Sequence, residues 1–164
     1  MLQGYSLFTV DGAGESQPAS GDEILEAARR VLSHRMRRGV ALTSPRLTRD
    51  FLTVQLGTRA YETFCVLFLD NRHRVLEFVE LFRGTIDGAS VHPREVVREA
   101  LNRNAAAVIF AHNHPSGVAE PNQADELITR RLKDALSLFD IRVLDHLIVV
   151  AGGDVTSLAE RGLL

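Results

Sequence analysis

The 164-residue sequence has a single cysteine, no tryptophan and a net charge of only −2. One cysteine, Cys65, allows neither an internal disulfide nor a zinc site built from several thiolates. Cys65 lies in the apolar run TFCVLFL and is predicted to be a small, buried hydrophobic residue. Because the net charge is small and negative, the chain has no overall basic field to hold nucleic acid or an anionic membrane.

The sequence also lacks long hydrophobic runs and a targeting segment. Apolar runs such as AAAVIFA are far too short to span a bilayer, and the start MLQGYSLFTVDG has neither a basic beginning nor a sustained apolar stretch. We therefore expect no membrane segment, no signal peptide and a reduced, cytoplasmic setting. A composition of 45% hydrophobic and 24% charged residues is typical of a soluble globular protein of about one domain.

Composition along the chain predicts three parts. Residues 11–21, DGAGESQPASG, are small, polar and glycine-rich, so residues 1–20 are predicted to form a flexible N-terminal segment. A helical region follows over residues 21–57. The third part is one domain over residues 58–164, and it contains the two-histidine stretch AHNHPSGVAEPNQAD.

The helical region has clear start and stop signals. Ser20 and Glu23 form a predicted capping box for a first helix, which Gly39 ends. Pro45, at a favoured first helical position, begins a second helix that ends at Gly57.

The remaining chain alternates between strand-like and helix-like segments. The strand patterns are ETFCVLFLD and RVLEFVELF, joined by DNRH in a hairpin, and later AAAVIFAHNH and IRVLDHLIVV. The helix patterns are HPREVVREALNRN and NQADELITRRLKDALSLF, with a last short turn predicted from a capping box of Ser157 and Glu160. This alternation predicts an α/β fold, with a mixed β-sheet flanked by helices.

The stretch AHNHPSGVAEPNQAD contains the candidate metal ligands. His112 and His114, two residues apart on a strand, point to the same face with Cα atoms roughly 6.6–6.8 Å apart. Two imidazole nitrogens can converge from there on one ion, because Zn–N bonds are about 2.0–2.1 Å long. Pro115 and Gly117 then take the chain out of the sheet where the histidines end.

Asp125 is the third candidate ligand, and it has a competing interpretation. If Asn122 caps the next helix, Asp125 lies in its first turn, where acids are favoured by the helix dipole and the capping box. A first-turn carboxylate can also point back at a strand end, so the two roles are compatible. Two imidazoles and a carboxylate leave a fourth tetrahedral position for water, which is the pattern of a catalytic zinc.

These residues resemble a known family. HNHPSG, followed by a proline, a capping residue and Asp125 eleven positions after His114, is similar to the JAMM (MPN-type) metalloprotein motif, and most similar to its bacterial RadC-like branch. Further similar stretches lie between residues 44 and 164: LFRGTIDGASVHPREVVREAL, DELITRRLKDAL, IRVLDHLIV and SLAERGLL. The resemblance implies a cytidine-deaminase-like α/β core and a zinc site with His112, His114 and Asp125 as ligands. It also implies hydrolysis of an amide or isopeptide bond.

The resemblance implies further site residues and two departures. Glu62 matches the glutamate that acts as the family's general base, at the start of a core strand. Asn122 stands where the family usually has a serine that holds the substrate oxygen, and an asparagine amide can donate to an oxyanion as well. Long RadC-like proteins carry an N-terminal helix-hairpin-helix region, and this sequence is similar to the short forms without it.

Several polar residues keep two interpretations. Asp145 and His146 interrupt an apolar strand, where one of them either supports a zinc histidine by accepting its free N–H or belongs to a satisfied structural pair. Ser116 either contacts substrate or caps its loop. Other glutamates are poorer candidates for the base because they lie on the hairpin's second strand or on a helix: Glu77, Glu80, Glu95 and Glu99.

Four functions compete. The first is a zinc hydrolase acting on a peptide or protein, and the alternative is a RadC-like accessory protein of DNA repair. Only one arginine cluster supports DNA binding, and it is more simply explained as a solvated helix face with a basic C-terminal turn: Arg29, Arg30, Arg35, Arg37 and Arg38. A zinc nucleobase deaminase needs ligating cysteines that this chain lacks. A metal-free scaffold would more naturally have lost one of the three ligands.

Overall fold

The structure, a computed structural model, describes residues 7–42, 44–84 and 90–164. Residues 1–6 of the predicted flexible segment and residues 85–89 of the stretch LFRGTIDGASVHPREVVREAL lie outside the described residues. The helices are α1 (Gly21–Arg35), α2 (Pro45–Leu56), α3 (Pro93–Asn102) and α4 (Gln123–Ser137). The strands are β1 (Phe8–Val10), β2 (Ser16–Pro18), β3 (Thr63–Leu69), β4 (Val75–Arg83), β5 (Ala107–Asn113), β6 (Arg142–Val149) and β7 (Val155–Ser157).

Five of these strands form one mixed sheet in the order β4-β3-β5-β6-β7. β5 and β6 are parallel, with α4 as the crossover between them, and the other neighbouring strands are antiparallel. The predicted α/β class with a mixed sheet flanked by helices is therefore confirmed, and the architecture is consistent with a JAB/MPN-like fold. Among the helices in the described ranges, none is long and apolar enough to cross a lipid bilayer.

The sheet separates two hydrophobic cores. On one face, α2 packs Phe51, Leu52 and Leu56 against the sheet, and on the other, α3 and α4 contribute Val96 and Leu132. β5 is buried over its whole length because it is central and covered on both faces, which explains its continuous apolar sequence.

Alternation along β5 and β6 decides which side chains reach the α3/α4 face. Phe110 belongs to the α3/α4 core and Ala111 to the α2 core, so His112 returns to the α3/α4 face. His146 of β6 pairs with Phe110 and therefore shares that face.

The structure differs from the sequence predictions in the N-terminal part. α1 ends at Arg35, four residues before Gly39, because Met36 turns into the core and the Gly39 N–H donates to the Val75 carbonyl. A short hairpin of β1 and β2, which was not predicted, lies within the segment predicted to be flexible, and the flexibility itself stays a prediction. The Asp11 carboxylate accepts the N–H groups of Ala13 and Glu15 in the hairpin turn.

The C-terminal prediction was also incomplete. The predicted short turn is present over residues 158–162, but Ser157 is also the last residue of β7, a strand that was not predicted. The Glu160 N–H does donate to Ser157 Oγ at 3.1 Å, but the Glu160 carboxylate pairs with Arg49 on α2 instead of returning to the cap.

Candidate active site

The site forms where β5 leaves the sheet. His112 is almost completely buried on the last part of β5, and His114 follows the strand, held by its own N–H to the Val149 carbonyl. The loop then turns at Gly117, whose φ of 81° lies in the left-handed region that glycine adopts without strain. The loop thus presents both imidazoles at one end of the central strand.

Three potential ligand atoms converge at this end of the strand. His112 Nε2 lies 2.9 Å from His114 Nε2 and 3.1 Å from Asp125 Oδ1, and His114 Nε2 lies 3.4 Å from Asp125 Oδ2. Tetrahedral zinc with bonds of about 2.0–2.1 Å separates its ligand atoms by roughly 3.3–3.4 Å. The structure therefore brings the three predicted ligands together, and the cluster fits a metal site.

Hydrogen bonds outside the cluster fix the direction of the His114 lone pair. His114 Nδ1 lies 2.7 Å from the Val118 carbonyl, which can only accept, so the neutral ring carries its proton on Nδ1. The Nε2 lone pair consequently faces Asp125 and His112. Imidazole lone pairs and a carboxylate that face one another need a cation between them, either a proton or a metal ion.

The pKa shifts within the cluster agree with this arrangement. The hydrogen bond to Asp125 raises the pKa of His114 and outweighs the effect of burial. Burial by itself would raise the pKa of Asp125, but the hydrogen bonds with His112 and His114 hold that pKa far below its usual range. The Asp125 carboxylate is therefore ionised across the physiological range.

Asp125 also takes part in the predicted capping box of α4. Its Oδ2 accepts the Asn122 N–H at 2.8 Å, and Asn122 Oδ1 accepts the Asp125 N–H at 2.9 Å. Both interpretations of Asp125 thus agree with the geometry, since Oδ2 makes the cap while Oδ1 faces His112. The cap uses the oxygen of the Asn122 amide, so its Nδ2 group is the part that can donate to a substrate.

A cleft of about 330 Å³ opens beside the cluster. Glu62 and Asn122 line it together with His112, Asp125 and the apolar residue Phe64. Ser116 is not among the lining residues, and its hydroxyl accepts the Val118 N–H at 3.4 Å within the loop. The geometry thus places Glu62 and Asn122 at the cleft and gives Ser116 a loop contact, while all three catalytic roles stay predictions.

The four glutamates that the sequence ranked as poorer candidates for the base form ion pairs with arginines. Four such pairs hold the acids that the sequence ranked below Glu62: Glu77–Arg103, Glu80–Arg59, Glu95–Arg98 and Glu99–Arg103. Of these five glutamates, Glu62 is the one that lines the cleft beside the cluster, which favours it as the base.

Asn113 is a buried residue that sequence reasoning missed. Its Nδ2 group donates to the Tyr61 carbonyl at 3.0 Å, and its Oδ1 accepts the Thr63 N–H at 2.9 Å. One side-chain amide thus holds the backbone on both sides of Glu62. The sequence did contain a signal for this role. Asn113 is an amide in a largely apolar strand, and its two neighbouring histidines face the opposite side of that strand.

Asp145 and His146 face opposite sides of the sheet. One of them contacts a candidate ligand and the other makes structural hydrogen bonds. His146 is fully buried, and its Nε2 lies 2.8 Å from His112 Nδ1, while burial holds the pKa of His146 well below its ordinary value. Asp145 faces the other side of the sheet, where it accepts hydrogen bonds from the Ser157 hydroxyl and the Ala159 N–H. His146 therefore contacts a candidate ligand, and Asp145 ties β6 to the C-terminal segment.

Comparison with known proteins gives a consistent family. A sequence profile described as the RadC-like JAB domain matches residues 42–163. A UPF0758 protein of Marinobacter nauticus is 63% identical over 158 residues, covering 96% of this chain and 70% of that relative. A UPF0758 protein of Thioalkalivibrio sulfidiphilus is 62% identical over 159 residues, covering 97% and 70%. The chain therefore belongs to the RadC-like JAB domain family, as the resemblance of its HNHPSG stretch predicted.

Proposed function

We propose that the protein is a zinc-dependent hydrolase that cleaves an amide bond in a peptide or protein. The observation that supports the proposal most directly is the convergence of His112 Nε2, His114 Nε2 and the Asp125 carboxylate, whose Oδ1 lies 3.1 Å from His112 and whose Oδ2 lies 3.4 Å from His114, beside a cleft lined by Glu62. Membership of the RadC-like JAB domain family agrees with it.

Zinc fits the chemistry of these donors. Two imidazole nitrogens and one carboxylate are a common set at catalytic zinc sites, where a fourth position stays open. When bound, the ion acts as a Lewis acid that activates a water molecule and polarises the scissile carbonyl.

The chain's own residues supply the proton transfers and part of the oxyanion stabilisation. Glu62, at the edge of the cleft, takes a proton from the attacking water and delivers it to the leaving nitrogen. The Nδ2 group of Asn122 donates to the oxygen that becomes negative as the carbonyl is attacked. The family usually has a serine at this position. The Asn122 amide and the serine hydroxyl are both hydrogen-bond donors, so the substitution keeps a donor there.

The test combines metal analysis with a peptidase screen. Protein purified without added zinc should hold about one metal ion per chain. Glu62→Gln should keep that metal, keep its thermal midpoint within a few degrees, and lose about 10²–10⁴-fold of any hydrolysis, because only the basic oxygen is removed. Asp125→Asn and His114→Ala should lose metal and hydrolysis together.

Each variant controls for another. A Glu62→Gln protein with full activity would move the base elsewhere, with Glu77 and Glu80 next to be tested. Stoichiometric metal in His114→Ala would show that the ligand assignment is wrong. Metal-free wild-type protein with no zinc affinity would refute the proposal as a whole.

The DNA-repair alternative and the cytoplasmic location stay predictions. Within the arginine cluster of α1, Arg29 and Arg30 both pair with Glu26, which reduces the charge available to phosphates. The overall charge of −2 adds no support for binding DNA. The hydrolase proposal is therefore the one that the site favours.

A further inference from the structure

A chain of buried hydrogen bonds connects two of the candidate metal ligands behind the site. His112 Nδ1 lies 2.8 Å from His146 Nε2, His146 Nδ1 lies 2.5 Å from Thr129 Oγ1, and Thr129 Oγ1 lies 2.5 Å from the Asp125 backbone carbonyl. His146 and Thr129 are completely buried, and His112 is 2% exposed. The chain of hydrogen bonds therefore begins at one ligand and ends on the backbone of another, away from solvent.

The positions of these residues follow from the secondary structure. Thr129 lies four residues after Asp125 on α4, so the two share one face of the helix, and its hydroxyl reaches the carbonyl one turn back. His146 lies on β6 opposite Phe110, and the rings of Phe64 and Phe110 pack edge-on against it at 5.5 and 5.7 Å. These aromatic contacts hold the plane of the His146 ring.

Only one arrangement of protons gives each of these three hydrogen bonds one donor and one acceptor. A carbonyl oxygen accepts and never donates, so the single hydroxyl proton of Thr129 goes to Asp125. The Thr129 oxygen is then the acceptor, and His146 Nδ1 must donate to it. Because His146 is buried among aromatic rings and neutral, its Nε2 accepts, and His112 Nδ1 is the donor.

We propose that Thr129 and His146 are positioning residues that fix the tautomer of His112. They hold the His112 proton on Nδ1, so the Nε2 lone pair is directed at the metal position next to His114 and Asp125. The inference rests on the proposed metal site and assigns to it two residues that lie outside the cluster of three candidate ligands.

Removing the Thr129 hydroxyl should reverse the arrangement. In Thr129→Val, which keeps the side-chain shape, His146 Nδ1–H loses its acceptor in a buried site. The other tautomer of His146 then becomes favourable, and its Nε2–H faces His112 Nδ1. His112 must accept there and carry its own proton on Nε2, the metal-binding atom. Loss of such outer contacts typically lowers metal affinity by about 10–100-fold.

The experiment has two readouts on the full chain. Zinc affinity is measured by competition with a chromophoric chelator for the wild type, Thr129→Val and the matched control Thr129→Ser, which keeps the hydroxyl. Protein labelled with ¹⁵N-histidine and freed of metal is examined by NMR, because imidazole nitrogen shifts distinguish the two tautomers, and His112→Gln assigns the signals.

We expect the wild type and Thr129→Ser to carry the His112 proton on Nδ1 and to bind zinc alike. Thr129→Val should bind zinc about 10–100-fold more weakly and show the Nε2–H form. Zinc affinity of Thr129→Val within twofold of the wild type would overturn the proposal. So would an Nε2–H form of His112 in the wild type, a result that does not depend on any change at Thr129. If the wild type bound no zinc, the proposed function would fail, while the tautomer measurement would still decide the role of Thr129.

Discussion

Two candidate ligands at this site, Asp125 and His114, are oriented by hydrogen bonds to nearby parts of the chain. Asp125 caps α4 with one carboxylate oxygen and faces His112 with the other, so its position is set by helix formation before any metal binds. His114 is oriented in the same way by a backbone carbonyl of its own loop, that of Val118. The ligand geometry is therefore built largely from local hydrogen bonds, which limits the reorganisation that metal binding requires.

Cys65 provides a prediction at the scale of one residue. Burial in the α2 core raises the pKa of its thiol to about 12, and the side chain is inaccessible. Because the thiolate is the reactive form, a thiol reagent should leave the native protein unmodified at neutral pH and modify it fully in denaturant. Mass spectrometry of the reacted protein measures both. Ser137→Cys, at an exposed position at the end of α4, is the control that should react at once in the native state. Rapid native labelling of Cys65 would show that the sheet opens locally.

At the scale of elements, Asn113 connects β5 to the start of β3. Its side-chain amide makes hydrogen bonds to the backbone of Tyr61 and Thr63, as a neighbouring strand would. These bonds fix the segment carrying Glu62 relative to the histidines. A strand end would otherwise fray, and the distance between base and ligands would vary.

Asn113→Ala tests this connection. The change leaves the Thr63 N–H and the Tyr61 carbonyl without their partner in a buried place, so we expect a loss of about 2–4 kcal/mol in the free energy of unfolding. Denaturant unfolding measures the loss. Asn102→Ala, at the exposed end of α3, should change stability by no more than about 0.5 kcal/mol. Equal stability of the two variants would argue against the connection.

The elements differ in how well the sequence predicts them, and the reason is the range of the interactions. Helix starts depend on local capping, so Ser20, Pro45 and the Asn122–Asp125 box were predicted correctly. The end of α1 depends on the Val75 carbonyl, which is distant in the sequence and which no local pattern reveals. The short strand β7 takes its place from pairing with β6, where Leu147 lies opposite Ser157. The same holds for the site: residues close together in the sequence were predicted, and residues that the fold brings together were not.

The predicted ligands lie within a 14-residue stretch, His112–Asp125, and the structure brings them together. Thr129, His146 and Asn113 are different, because their contacts require the register of the sheet and the placement of α4 upon it. A sequence pattern marks His146 as unusual in an apolar strand, but it does not say which of Asp145 and His146 faces the site.

At the scale of the whole molecule, charge decides what the surface can bind. If the basic residues at the end of α1 and just after it held DNA, affinity would fall steeply with salt and would drop when Arg35, Arg37 and Arg38 are changed to glutamate. We expect weak or no specific DNA binding, measured by fluorescence anisotropy. Reversing three basic residues of α4 is the control: Arg130, Arg131 and Lys133. Binding that resists both salt and the α1 changes would exclude an electrostatic DNA interface there.

The central position of β5 has a consequence for how the site is lost. Amide hydrogens of a strand paired on both sides and covered on both faces exchange with solvent only when the whole domain unfolds. His112 belongs to that strand, so disordering its part of the site requires the opening that unfolds the protein. By linkage, an ion that binds only the folded chain then slows the exchange of every amide that needs global unfolding, including β5 amides far from the histidines.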